Sequence, residues 1–462
     1  MYVIVNYHLQ VVGAVDNGGD YKDIKLYNID DDFTPILVDK KKFFFNGEEC
    51  FFSSYNKKFV LANHQEAFPV EVNFCGENEF YLSINGGFVS SNTTSLFVQA
   101  FCGEWERFYL IDEENLRIIR SAFKNGFYIQ GNNTYVSPEK LEYDHKCIKF
   151  DNYVFDLKSI VSAKKVGMNK LMLPREGLGL FIMELFNPLA YYSCFGSGEI
   201  IACMEESIYS LFTIGNFVGD ILVITDQEKI TFSEKLQPYL NRIHLQQANA
   251  YDFFDFTISR YMVYDLPIMD KYSPIMYIDC DIIINEDVNK IFHSAMGTDK
   301  VLFSEEFKVD TASPWFGGVH WYEAGQDYKL MDYGINSGIF LFKSIETAKE
   351  LLFTVVQSML HSQKVKLSRE KGILETLDQP NLNYVLMAHF PNHFDVEILT
   401  QHVSHAANEN FANIPLLGFA HFNGGLGNFG SRVDLMRKYV EYLQSNPKGD
   451  IEVVEKNYLS IS

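Results

Sequence analysis

Hydrophobic positions follow two different periods along the chain. Through roughly residue 155, short aromatic and β-branched runs alternate with turn signals: "DNGGD" at 16, "FNGEE" at 45, "INGG" at 84, "FKNG" at 123 and "GNN" at 131. That spacing predicts β-strands throughout. Three stretches align without gaps: "CFFSSYNKKFVLA" (50–62), "EFYLSINGGFVSS" (79–91) and "GFYIQGNNTYVSP" (126–138). Each is an aromatic pair, a polar turn, then aromatic, aliphatic and small residues, the signature of a repeated hairpin. "WERFYLI" (105–111) and "LRIIRSAFKNGFYIQ" (116–130) are expected to be the connecting strands. From about residue 196, apolar strand-like runs ("EIIACM", "DILVIT", "IMYIDCDIII", "KVLFSEE", "GINSGIFLF") alternate with helix-period stretches such as "SIYSLFTIGNF" and "SIETAKELLFTVVQSML". Alternation of this kind predicts an α/β domain with a mostly parallel central sheet. The expected organisation is an all-β domain over 1–155, a partly helical connector over 156–195, an α/β domain over 196–450 and a tail over 451–462.

Composition narrows the partners. A chain of 462 residues with 47% hydrophobic and 15% aromatic content can fill the cores of two or three domains. The formal net charge of −21 argues against a nucleic-acid partner and against docking on an anionic membrane leaflet. The opening "MYVIVNYHLQ" has no positive n-region and no small-residue cleavage site, and no uncharged apolar run is long enough to span a bilayer. Seven cysteines, scattered and without CxxC pairs, fit a reducing compartment. The expectation is a cytoplasmic, multidomain protein without a transmembrane segment.

The candidate chemistry begins at "SPIMYIDCDIIIN" (273–285), an apolar run broken by Asp279 and Asp281. Carboxylates are costly there unless something positive meets them. Ligands of open α/β sheets sit outside the carboxyl ends of the strands, where Asp279 and Asp281 fall. Alternation points both carboxylates to one side, where they could chelate a hard cation. The alternative is an acidic pair that merely ends a strand. Downstream follow "YGINSGIFLF" (333–342), "LDQPNLNYVL" (377–386) and "AHFNGG" (420–425).

In this order, over about residues 198–440, these motifs resemble glycosyltransferase family 8, the retaining nucleotide-sugar transferases with the A-type fold. The resemblance implies that Asp279, Asp281 and His421 hold Mn²⁺, or Mg²⁺, which neutralises the diphosphate of a UDP-sugar donor. It implies donor contacts at Ala202, Cys203, Arg260, Asn336, Ser337 and Gly424. It also implies that Asp378 binds sugar hydroxyls while the amide oxygen of Gln379 lies under the anomeric carbon. Plainer readings stand beside these: a core histidine at 421, a buried strand at Asn336 and Ser337, a solvated arginine at 260, and Asp378 as a helix N-cap before Pro380. Two positions depart from the family pattern. Met204, Glu205, Glu206 and Ser207 replace an Asp/Asn-rich turn, and Gly427 stands where the family has a diphosphate-binding Lys, for which Arg432 or Lys438 could substitute. The first 155 residues resemble a fascin-like β-trefoil, which implies a glycan or actin ligand; the plainer reading is an irregular β-barrel or sandwich.

The implied function is a metal-dependent retaining hexosyltransferase acting on a glycan, lipid or protein acceptor, with acceptor choice expected around 306–332. The alternative is a degenerate transferase that binds sugar or cytoskeleton. A haloacid-dehalogenase-type phosphatase also ends a strand in D-x-D, but there the motif opens the domain and is followed by Thr or Val. Here it lies mid-domain and is followed by Ile282 and Ile283.

Overall fold

The computed structural model describes residues 1–16, 21–28, 34–39, 42–55, 58–62, 70–75, 78–84, 87–91, 95–100, 103, 106–130, 134–144, 147–151, 153–175, 179–308, 333–368, 378–405, 410–422 and 429–446. The chain divides into two compact units, Met1–Phe186 and Asn187–Ser462.

In the first unit, Tyr2–Asn6, Gln10–Val15, Tyr21–Asn28, Lys58–Ala62, Glu48–Tyr55, Lys42–Phe45 and Leu37–Asp39 pair in that order. The last strand returns to the first through Tyr2↔Val38, so the path closes into a seven-stranded antiparallel barrel. Closure leaves no free edge among these strands. Ile4, Val12, Phe43, Phe52 and Phe80 belong to the apolar cluster behind them.

The three similar hairpins do not occupy equivalent places. The first forms barrel strands, the second (Glu79–Ile84 with Gly87–Ser91) lies on an extension of that sheet, and the third (Phe127–Ile129 with Thr134–Val136) belongs to a separate five-stranded sheet. This strand order does not draw the three equivalent lobes of a trefoil. A shared alternation fixes a hairpin but not its neighbours, because strand preference depends on what the strand packs against.

Residues 116–125, expected as strand, are helical within Glu113–Asn125. Asp112 caps the helix, accepting hydrogen bonds from the backbone N–H groups of Glu114 and Asn115, and Gly126 at φ 87° ends it. Its buried residues Leu116, Ile119 and Phe123 recur at helical spacing, a period hidden by the adjacent β-branched pair Ile118 and Ile119. The stretch 156–195 is not a connector. It holds a short helix, Leu157–Val161, three strands of the first unit (Lys164–Gly167, Lys170–Arg175, Gly179–Leu185) and the first strand of the second, Leu189–Ser193. The glycines and prolines that read as linker residues punctuate these strands instead.

The second unit is built on a seven-stranded mixed sheet. Its order is Ile243–Gln247, Asp220–Thr225, Leu189–Ser193, Ile275–Ile278, Tyr333–Phe342, Val301–Lys308 and Phe394–Asp395. The first four strands are mutually parallel, and Tyr333–Phe342 runs antiparallel to both of its neighbours. Both sheet faces are covered, which explains the continuous apolar runs: all four residues of Ile275–Ile278 are buried. "EIIACM" lies within the helix Gly198–Thr213 and is not a strand. Cys203, Met204, Ser207, Ile208 and Leu211 form its buried stripe, a helical period visible only over a window longer than six residues. Among the described residues, no helix is long and apolar enough to cross a membrane.

A second, three-stranded sheet joins Ile282–Ile284, Phe419–His421 and Val403–His405. Buried Asn285 ties it to the C-terminal helix Phe429–Ser445. Its Nδ2 donates to Pro415 O and to the Tyr439 hydroxyl, each at 3.0 Å, and its Oδ1 accepts from Gly418 N at 2.9 Å. Replacing Asn285 by Ala strands these partners in the core, so the substitution should cost about 2–4 kcal/mol, measured by urea unfolding.

Candidate functional site

The end of the central strand Ile275–Ile278 is pinned on both sides by backbone hydrogen bonds. Asp279 N donates to Gly338 O at 2.8 Å, and Phe422 N donates to Asp281 O at 2.8 Å. The strand resumes at Ile282, whose pairing partner is His421. Three distant parts of the sequence therefore converge. One carboxylate oxygen each from Asp279 and Asp281 and one imidazole nitrogen of His421 lie within 4.8 Å of one another.

Gly338 explains how the backbone can come so close. The pairing of Tyr333–Phe342 with Val301–Lys308 shifts register between Phe303 and Ser304, so Gly338 falls in the bulged stretch between the paired residues Asn336 and Phe340. A Cβ at this position would stand 2.7 Å from Asp279 Oδ2 and 2.9 Å from His421 Cε1. Asn336 Oδ1 accepts from Gly338 N at 2.7 Å and braces the bulge. Asn336 and Ser337 are buried, with Ser337 O accepting from Arg260 Nη1 at 3.3 Å.

Buried carboxylates need positive partners, and each has one. Arg260 Nη2 lies 3.4 Å from Asp279 Oδ1, and Arg260 Nη1 lies 3.0 Å from Asp378 Oδ2. The guanidinium sits 5.0 Å over the Tyr277 ring, so Arg260 is not a solvated helix-face residue. The Tyr277 hydroxyl donates to Asp279 Oδ1. Asp281 divides its oxygens, with Oδ1 3.3 Å from His421 Nε2 and Oδ2 accepting from Arg432 Nη1 at 2.8 Å.

Burial pushes the carboxyl group of Asp279 up, and neighbouring Asp281 adds to this, so it ends above the ordinary range despite Arg260. Burial also works to raise Asp281, yet His421 and Arg432 prevail and hold it low. For His421, burial favours the neutral ring, but Asp281 outweighs it and raises the imidazole.

The helix Gln379–Ala388 brings the remaining pair. Asp378 precedes it without a side-chain cap bond. Its Oδ2 accepts instead from the Tyr261 hydroxyl at 3.2 Å and meets Arg260. Gln379 Nε2 donates to Glu306 Oε2 at 2.9 Å, which fixes the amide plane. Asn383 clips the helix to the sheet, accepting from Ile335 N at 2.8 Å and donating to Gln379 O at 2.8 Å. Glu306 and Asn383 were missed in the sequence; the second asparagine of "DQPNLN", one turn beyond Gln379, was the available signal.

Ala202 and Cys203 lie within a helix, where a strand end was expected. Cys203 is fully buried, and that burial pushes its thiol up to about 12, with Asp281 adding to the effect. The first strand ends instead at Cys194 to Ser197, where exposed Gly196 has φ 87°. "SCFGSG" was the overlooked signal, a small-residue turn between an apolar run and a helix. Gly424, Gly427 and residues 309–332 lie outside the described residues.

The family model for Glycosyl transferase family 8 matches residues 220–426. The match takes in Asp279, Asp281, Asp378, Gln379 and His421 and stops short of Arg432. Among solved structures, the chain is similar to the WbbM bifunctional glycosyltransferase in its apo structure, with 11% identity, 56% of this chain and 51% of that chain covered, and a TM-score of 0.36. It thus spans about half the length of that protein. It is also similar to mouse xyloside xylosyltransferase 1, apo form, with 12% identity, 53% of this chain and 99% of that chain covered, and a TM-score of 0.35. No curated protein matches the chain.

The two carboxylates and the imidazole suit a divalent cation such as Mn²⁺. Gly338→Ala would force a methyl group among these ligands. It should weaken Mn²⁺ binding about tenfold or more, as loss of other ligand-positioning groups does. Titration calorimetry measures this, with an unchanged circular dichroism spectrum showing that the fold persists.

Proposed function

We propose that the second unit is a metal-dependent, retaining glycosyltransferase that moves a hexose from a UDP-sugar to a glycan, lipid or protein acceptor. The observation that carries this is the convergence of Asp279, Asp281 and His421 within 4.8 Å at the carboxyl end of a central strand. The family match over 220–426 supports the transferase class, and through it the UDP donor and the retention of configuration.

The donor set fits a hard or borderline divalent cation, and Gly338 leaves room beside it. When bound, that cation supplies Lewis-acid neutralisation of the diphosphate leaving group. The chain's own residues do the rest. Arg260 holds Asp279 and Asp378 in fixed relation, tying the cation site to the sugar site. Asp378, braced by Tyr261, accepts hydrogen bonds from donor hydroxyls. Gln379, with its NH₂ engaged by Glu306, has its amide oxygen to offer to positive charge developing at the anomeric carbon. No carboxylate of the motif set is assigned as nucleophile, which favours front-face displacement; a trapped covalent adduct at Asp378 or Gln379 would overturn this.

A second reading, a domain that binds donor without turnover, is favoured by Gly427 at the position of the family Lys. For the first unit we propose glycan binding, which would raise the effective concentration of acceptor. We propose a cytoplasmic location for the whole.

UDP release from a panel of UDP-sugars tests the main reading. One donor should be turned over with Mn²⁺, and Asp281→Asn should abolish it; binding without turnover would favour the second reading. Gln379→Ala should lower kcat by about 10²–10³ with little change in KM, as loss of a group acting mainly in the transition state does, measured by steady-state kinetics on the identified donor.

A further inference from the structure

Arg432 stands in the second turn of the helix Phe429–Ser445, beyond the stretch that matches the family model. Its side chain is 13% exposed, and its Nη1 donates to Asp281 Oδ2 at 2.8 Å. Asp281 Oδ1 faces His421, so Arg432 is stationed at the rim of the carboxylate cluster, on the far oxygen of one of its members.

That placement has an electrostatic consequence. A divalent cation held by Asp279, Asp281 and His421 would be repelled by a guanidinium this near to Asp281, the more so where burial lowers the dielectric constant. An anion would relieve that repulsion, because its oxygens would accept from the guanidinium while its charge would offset that of a cation held by Asp279, Asp281 and His421. A diphosphate has oxygens for both, and the planar fork of an arginine matches phosphate geometry. Arg260 is not available for this task, because Asp279, Asp378 and Ser337 O hold it and it lies over Tyr277. Lys438, on the same helix, is exposed. Arg437 is engaged elsewhere, donating from Nε to buried Glu206 at 3.0 Å.

We propose that Arg432 is the positioning residue for the donor diphosphate, exchanging Asp281 for phosphate oxygens when cation and nucleotide enter together. This rests on the donor reading above. It adds a residue outside the matched stretch and makes nucleotide binding depend on the C-terminal helix.

The test is calorimetry on the full chain and on Arg432→Gln, Arg432→Lys and Arg437→Gln, titrated first with Mn²⁺ alone and then with UDP in saturating Mn²⁺. Arg432→Gln should weaken UDP about 10- to 100-fold, the value of one charge-assisted contact, while binding Mn²⁺ alone at least as well as the wild type because a repelling charge is gone. Arg432→Lys should recover part of the UDP affinity, and Arg437→Gln should leave it within about threefold, a loss well below that of one charge-assisted contact. Loss of Mn²⁺ and UDP affinity together in Arg432→Gln would indicate a merely structural role and overturn the assignment. So would unchanged UDP affinity, or an equal loss in Arg437→Gln. If the wild-type chain binds Mn²⁺ but no UDP, the donor reading itself falls and this assignment with it.

Discussion

The second unit is organised around the cost of burying acid. Asp281 is 7% exposed and Asp279 is partly buried, its side chain 22% exposed, at the end of a strand whose every residue is buried. Carboxylates in such a setting are held only where positive charge and hydrogen bonds are built in around them. Arg260 and Arg432 supply the charge and the His421 imidazole faces Asp281, and each comes from a different element: the end of the helix Phe253–Ser259, the C-terminal helix and the middle strand of the small sheet. The burial of two aspartates therefore constrains where three remote segments must pack.

Backbone hydrogen bonds set the geometry within which these charges act. Gly338 O receives Asp279 N, Asp281 O receives Phe422 N, and the register Ile282↔His421 fixes the imidazole beside the second aspartate. None of these contacts depends on the identity of a flexible side chain, so the backbone that carries the two carboxylates and the imidazole is held by main-chain pairing itself. Arg260 then extends the same frame to Asp378, and Asn383 extends it to Gln379 through the strand at Ile335. Rigid support of this kind is what cation binding and transition-state stabilisation both require.

The site was more legible in the sequence than the fold around it. Asp279 and Asp281 announced themselves because polar residues interrupt a run that is otherwise apolar, and the order of the later motifs brought in His421 and Asp378. Asp378 also fits the plain reading of a helix-start residue, yet its carboxylate leaves the cap unmade and turns to Arg260 and Tyr261. What escaped notice were contacts carried by long-range pairing. Glu306 meets Gln379 across 73 positions and Arg432 meets Asp281 across 151, and no local pattern encodes such distances. The strand Leu189–Ser193 was lost because a Pro and several glycines nearby read as linker. Residues 116–125 and 199–204, both helical, were taken for strands because short windows rich in Ile favour that choice. The repeated hairpins illustrate the same limit: alternation specifies a hairpin, and packing decides whether it joins a barrel, an extension or a separate sheet.

The central claim is that Asp279, Asp281 and His421 form one cation site against which a nucleotide diphosphate is held. Anomalous diffraction from crystals of the full chain grown with Mn²⁺ and UDP tests it most directly. The account predicts an anomalous peak bonded to all three side chains, with a diphosphate oxygen completing the coordination. A cation bound elsewhere, or a nucleotide ordered with no cation between these residues, would contradict it.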